Sequence, residues 1–242
     1  MNIQKITNAL IASAAIALTS APAHAVLILE ISDGTAAGTK TIIDGATSGT
    51  TYNGYTSNVD DAMIGLDGLI SFSGAVGSFF ANTSVGASKP QIGNSTEARL
   101  VLNSIDISGA AGSVTIRLTD TDYSLPVMPG SYGSSSLVAG ITDGSVDVMT
   151  YLDTGNTAFG TGTLLGSFSS DGGAFSATEN LYGVGISGPF ALTQVANVTH
   201  TGAGQVTLVN ASVSVPEPGS LALLGIGLLG IGFVGNRRRI KG

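Results

Sequence analysis

Aspartate is the residue on which chemistry in this chain would have to rest. Asp120-Thr121-Asp122 follows a clean alternating run, and Asp143, Asp147 and Asp153 lie close together around another. Oxygen ligands gathered on turns are what Ca²⁺ takes, six to eight of them at about 2.3–2.6 Å, which makes Asp120, Asp122, Asp143 and Asp147 the calcium candidates. No EF-hand or nonapeptide repeat accompanies them, and Asp on a turn also serves backbone hydrogen bonding. No other cofactor is expected.

Hydrolytic machinery is thin. His24 falls in the leader described below, so His200 is the single histidine of the remaining domain. A Ser/His/Asp triad through it would lack a Gly-x-Ser-x-Gly elbow, and a lone His on a β surface is ordinarily just solvated. Cysteine is absent from all 242 positions, which excludes disulfides, thiol catalysis, Cys-ligated metal and a lipid-anchoring Cys. Gly183/Gly185/Gly188 matches a dinucleotide-binding spacing but runs into Pro189 and a strand-like segment where that motif needs a helix. The expectation is a protein that is not an enzyme, with a carboxylate-based hydrolase as the enzymatic alternative, because fifteen acids could hide a catalytic pair.

Binding chemistry has two further candidates. Tryptophan is missing, but Tyr52, Tyr55, Tyr123 and Tyr132 fall in or near expected turns and would offer stacking platforms for a sugar. Thr-x-Thr pairs at Thr39/Thr41, Thr119/Thr121, Thr161/Thr163 and Thr199/Thr201 would suit a flat hydroxyl-bearing face of the ice-binding kind, although Thr is also simply common in strands.

Both ends of the chain differ from its middle. Met1 to Lys5 is a short basic start, Ile6 to Leu18 is apolar, and Ala23-His24-Ala25 supplies the small-x-small pattern that signal peptidase reads at Ala23 and Ala25. Residues 1–25 are therefore expected to be a signal peptide, with a mature start at Val26. At the other end Pro216-Glu217-Pro218 precedes Gly219 to Gly235, which carries no charge, and then a basic tail 236–242 with Arg237, Arg238, Arg239 and Lys241. Residues 219–235 just reach the lower limit for a spanning helix, and the basic cluster would hold that end in the cytoplasm. Between the two lies a domain, 26–215, with four basic residues against fifteen acids, a formal charge of −11. Such a domain repels phosphate backbones, so nucleic-acid binding is not expected.

The tripartite tail resembles the PEP-CTERM sorting signal of Gram-negative bacteria: a Pro-Glu-Pro motif, a Gly-rich apolar helix and a terminal Arg cluster. The resemblance covers 216–242, about a tenth of the chain. It implies handling by an exosortase, a membrane protease that recognises Pro216-Glu217-Pro218 and removes the tail. It further implies transient residence in the inner membrane, then release to the cell surface or matrix, often beside exopolysaccharide. A permanent tail anchor is the alternative, which the six glycines of 219–235 speak against, since each weakens a helix by about 1 kcal/mol relative to Ala.

The elements that must position these residues are strands. Ser113 to Thr119 alternates apolar and polar side chains without error, placing Val114, Ile116 and Leu118 in a core. Arg99 to Ile107, Ser145 to Leu152, Phe190 to Thr199 and Gln205 to Val215 read the same way, the last with a slip of phase at Leu208-Val209 that suggests a bulge. Asn53-Gly54 between Thr51-Tyr52 and Tyr55-Thr56 marks a two-residue hairpin, and five Asp-Gly pairs mark further turns. Ser131 to Ser136 reads as a flexible loop, and Val59 to Leu69 as a helical turn. The whole is an all-β, sandwich or jelly-roll-like domain. The expected role is non-enzymatic, structural or adhesive at the cell surface, in a biofilm or matrix. A glycan-binding or calcium-dependent jelly-roll module is the alternative.

Overall fold

The structure is a computed structural model and describes residues 26–125 and 132–215. The signal-peptidase residues Ala23 and Ala25, Pro216-Glu217-Pro218, the apolar segment 219–235 and the basic Arg237, Arg238, Arg239 and Lys241 lie outside the described residues. Among the described residues no helix is long and apolar enough to cross a membrane.

The described chain forms fourteen strands in two six-stranded antiparallel sheets and one small hairpin. In chain order these are β1 (Leu27–Ser32), β2 (Lys40–Ile43), β3 (Thr51–Tyr52), β4 (Tyr55–Thr56), β5 (Leu69–Val76), β6 (Phe79–Ala87) and β7 (Ala98–Gly109). They continue with β8 (Gly112–Tyr123), β9 (Tyr132–Thr142), β10 (Ser145–Asp153), β11 (Thr163–Ser170), β12 (Gly173–Val184), β13 (Phe190–His200) and β14 (Gln205–Val215). The first sheet runs β11-β10-β13-β8-β1-β2, and the second β12-β9-β14-β7-β6-β5.

Alternation explains the packing. Val114, Ile116 and Leu118 of β8 are buried, as the pattern requires, and face Leu100, Leu102, Ile105, Val209 and Val213 of the second sheet within one core. Burying each Leu or Ile contributes about 1.5–3 kcal/mol. The pairing of β14 with β7 shifts between Val209 and Ala211, but the extra residue lies in β7, between Leu102 and Ile105; burial alternates through β14 without the break expected at Leu208-Val209. Asn53 and Gly54 both take positive φ, 48° and 83°, and close the β3–β4 hairpin as a type I′ turn demands.

Two local expectations are overturned. Residues 132–136 are the start of β9, paired on one side with β12 and, through Ser135 and Ser136, with β14 on the other. Backbone ladders on both sides hold a Gly/Ser-rich segment that its own propensity would leave loose. Val59 to Leu69 forms successive turns with i to i+3 bonds from Leu66 to Met63 and from Leu69 to Leu66, not a helix.

The topology sorts the connections into two poles. The turns after β5, β7, β9, β11 and β13 gather at one: Ala110 N bonds Ser78 O, Gly204 N bonds Gly109 O, and Asp143 N bonds Val206 O. The long loops 44–68, 88–97 and 154–162 gather at the other, where Lys89 meets Asp120 and Asn156 meets Asp122.

Candidate functional site

The calcium candidates are dispersed by this topology. Asp120 and Asp122 sit at the loop pole and Asp143 at the turn pole, separated by most of the length of β8, roughly 30 Å at the rise of an extended strand. Each has a protein partner. Asp120 is fully buried and pairs with the buried Lys89 at 3.0 Å. Asp122 and Asn156 exchange two bonds, Asp122 N to Asn156 Oδ1 at 2.8 Å and Asn156 Nδ2 to Asp122 Oδ1 at 2.7 Å. The Asp143 carboxylate accepts Val206 N at 3.1 Å, and Asp147 accepts Ser169 Oγ at 2.5 Å. Among the described residues no three His, Cys, Asp or Glu side chains are grouped to hold a metal.

The loop pole holds the strongest electrostatics. Lys89 Nζ bonds Asp120 and the Thr121 carbonyl and stands 3.5 Å above the ring centre of Tyr123, whose hydroxyl donates to Arg99 O. Burial pushes Lys89 down and Asp120 up toward their neutral forms, and their mutual attraction opposes both shifts. Burial and the neighbouring Asp120 raise Tyr123. Nearby, Asp44 is pushed up to about 7, by burial first and then by Asp61, Asp67 and Asp120, against the bond it accepts from Gly68 N at 2.6 Å. Lys89, Asp120 and Tyr123 are sealed from solvent, so the constellation cannot meet a substrate. It pins the 88–97 loop to the end of β8. Thirty-one residues separate Lys89 from Asp120, and no local pattern could have announced the pair.

Three sequence expectations change here. His200 is 1% exposed rather than solvated, its Nε2 paired with Thr207 Oγ1 at 3.0 Å, because it lies on the core face of β13 with its ring tilted against Phe79. Burial lowers its pKa, with Asp143 opposing. Tyr123 and Tyr132 are core residues and offer no sugar platform, while Tyr52 and Tyr55 are half-buried, Tyr55 edge-on against Phe159. Thr41, Thr119 and Thr121 are buried, so the pairs Thr39/Thr41 and Thr119/Thr121 present no flat hydroxyl face; Thr119 Oγ1 is spent on Leu192 O and Thr193.

What the fold does offer is an open sheet face. The outer side of the first sheet carries the Arg117–Glu30 ion pair and Asp147, and is partly covered by a second small core of Ile28, Ile43, Ala46, Ala158 and Phe159. Among the described residues the outer side of the second sheet has no such cover. All six of its strands together contain three charged residues, Arg99, Asp106 and Glu179. Alternation turns Glu179 toward the other sheet, where its Oε2 accepts Ser167 N at 2.8 Å. Phe80, Leu137, Ile141, Val206 and Leu208 are exposed on this face, and Tyr182 is 80% exposed. The Tyr182 ring lies across Gly133, its pairing partner on β9, within 3.5–3.7 Å of where a Cβ would stand. The missing side chain at Gly133 gives the ring a floor, leaving its other side to solvent. The alternation of 174–182 was the signal that could have found Tyr182, since it shares a side with Ser176, Thr178 and Asn180.

Residues 214–239 match the PEP-CTERM protein-sorting motif, which marks an exported protein trafficked by exosortase. No protein of curated function matches the chain in sequence. Several solved structures are similar at low identity. TmCBM61 in complex with β-1,4-galactotriose is 12% identical, with a TM-score of 0.32 over 55% of this chain and 87% of that one. The K1 cleaved adhesin domain of Lys-gingipain from Porphyromonas gingivalis W83 is 10% identical, with a TM-score of 0.32 over 62% of this chain and 99% of that one. The xylan-binding domain from CBM 22 is 12% identical, with a TM-score of 0.30 over 61% and 92%.

Proposed function

We propose that this exported domain is a non-enzymatic adhesive protein of the cell surface or extracellular matrix, which lies against neutral exopolysaccharide through the open face of its second sheet. The observation that carries the reading is the near absence of charge across that face in a domain of formal charge −11. Sugar rings present apolar C–H faces and a rim of hydroxyls. Leu137, Ile141, Leu208 and the supported ring of Tyr182 suit the former, and the Ser, Thr and Asn side chains between them suit the latter. Desolvating such a face costs little, because almost no ion is stripped of water. A carboxylate-based hydrolase would instead need two carboxylates about 5–9 Å apart, and the strands of this sheet place only Asp106 on the open side.

Affinity electrophoresis of protein recovered from the medium tests the reading, through gels containing dextran, laminarin or the polyanion alginate. Retardation by a neutral polymer, abolished in Tyr182→Ala with Leu137→Asp and absent in alginate, is the expected result. Equal retardation by alginate, or none by any neutral polymer, would overturn it.

A further inference from the structure

Four buried polar side-chain atoms, on the second and third strands in from the β11 and β12 edges, have no hydrogen-bond partner: Ser134 Oγ, Ser136 Oγ, and both Nε2 and Oε1 of Gln194. Their residues are 4%, 5% and 0% exposed. Leaving one such group unmade costs about 1–3 kcal/mol, so four together approach the stability of a whole domain. Strand register aligns them. In the first sheet Gly166 of β11 pairs with Thr150 of β10, and Thr150 with Gln194 of β13. In the second sheet Glu179 of β12 pairs with Ser136 of β9. The two rows meet at Gly166, where an added Cβ would stand 2.9 Å from Ser136 Cβ, 3.1 Å from Ser136 Oγ and 3.2 Å from Glu179 Oε2. A route thus runs from the edge, past Glu179 and Gly166, to Ser136, with Gln194 one strand further in beside Thr150.

The space along it narrows from outside to inside. Between β11 and β12 lies a groove of about 280 Å³ lined by Leu164, Leu165, Gly166, Glu179, Asn180 and Leu181. Sharing Gly166 and Glu179 with it, a neck of about 10 Å³ reaches Ser136 and Thr150 between the apolar side chains of Val138, Val148, Phe168 and Ala177, the room of one water-sized group.

We propose that this groove is a binding site for a neutral hydroxyl-bearing ligand, a sugar or short polyol, which rests on Leu164 and Leu181 and seats one hydroxyl in the neck at Ser136. A hydroxyl both donates and accepts, matching the unpartnered Ser136 hydroxyl that lines the neck. An ammonium has no acceptor to offer them, and a carboxylate would be repelled by Glu179. The neck excludes a ring but admits a single hydroxyl, and Gly166 keeps it open. The ligand class rests on the neutral-glycan reading above; the position of the site does not.

Methyl-labelled leucines in the purified protein distinguish the two. Titration with glycerol, D-glucose and maltotriose is expected to give saturable shifts at Leu164, Leu165 and Leu181. Gly166→Ala, which plugs the neck, should abolish them. Ser136→Ala, which leaves the neck open, should weaken binding about 2- to 12-fold, the worth of one net hydrogen bond, and carries the test should Gly166→Ala fail to fold. No saturable shift at these leucines, meaning water alone in the neck, overturns the site, as does binding unchanged in both variants. Shifts confined to Leu137 and Leu208 overturn the groove and leave the open-face reading standing. Groove shifts without polysaccharide retardation do the reverse.

Discussion

Asp44→Asn should stabilise the protein at neutral and alkaline pH and do almost nothing in acid. In the fold the Asp44 carboxyl is raised from an ordinary 3.8 to about 7. The folded state therefore holds a proton that the unfolded chain releases near pH 4, and stability falls as pH rises through the window from about 4 to about 7. Below that window both states are protonated and the penalty vanishes. Three units correspond to a ceiling of about 4 kcal/mol, but Asp44 is only partly buried, and solvent screening reduces the realistic loss to about 1–2 kcal/mol. Asparagine keeps an acceptor for Gly68 N, bonded at 2.6 Å in the native protein, without the charge that Asp61, Asp67 and Asp120 oppose. Urea denaturation of both proteins at a series of pH values from 4 to 8 reads the difference directly. It should open from near zero to about 1–2 kcal/mol across the window. A difference that is the same at every pH, or a variant less stable at pH 8, would show that Asp44 is not a buried, charge-opposed carboxyl.

Other expectations follow from the same geometry. Lys89→Met strands a fully buried Asp120 and should cost about 3–5 kcal/mol by urea denaturation, most of it recovered in the Lys89→Met, Asp120→Leu double variant. His200, whose pKa burial lowers, should make the protein lose stability as pH falls below the ordinary histidine value of about 6.5. Thermal unfolding of His200→Gln should lack that acid-side loss while leaving sorting and secretion unchanged. Intact-mass measurement on protein from the surface or medium should find an amino terminus at Val26 and no Leu221 to Gly242. Replacing Pro216 and Pro218 should leave a membrane-bound precursor, and a full-length carboxy terminus on inner-membrane protein would indicate a plain anchor instead.

Where alternation was clean, the sequence was a sufficient guide. Gln205 to Val215 coincides with β14 residue for residue, and Val114, Ile116 and Leu118 are buried as expected. β9 and β12 were harder, because Gly, Ser and Ala carry little side-chain signal; their positions are fixed by backbone ladders to one another and to β14. The side chains that depart from the sequence expectation share one cause. Tyr123, Tyr132 and His200 are polar-tipped residues at strand ends, where sequence cannot tell an exposed tip from one turned inward to a partner. The Tyr123 hydroxyl found Arg99 O and His200 found Thr207, so both entered the core. The uncharged face was hidden for a different reason: it is assembled from six strands that the chain visits in the order β5, β6, β7, β9, β12 and β14, and no window of the sequence contains it.

The two poles connect the fold to its processing. Leu27, the first residue of β1, pairs with Asp120, and Val215, the last of β14, pairs with Ala98. The Tyr123 hydroxyl bonds the carbonyl of Arg99, next to Ala98, so both ends of the described domain emerge at the pole pinned by Lys89 and Asp120. β14 is an inner strand, and the sorting motif begins at its last two residues. Among the described residues the ladders end at Val215, so a cut beyond it spares every described strand pairing and is expected to leave the sandwich intact. A chain still attached through residues 216–242 would then turn its loop pole toward the membrane and its turn pole, with Asp143 and Asp171, away from it. The open face lies along the axis between the poles, so in such a tethered chain its strands would run outward from the membrane. Tethered or released, it is expected to stay free to lie along a polymer, and exosortase release would change where the protein is without changing what it can hold.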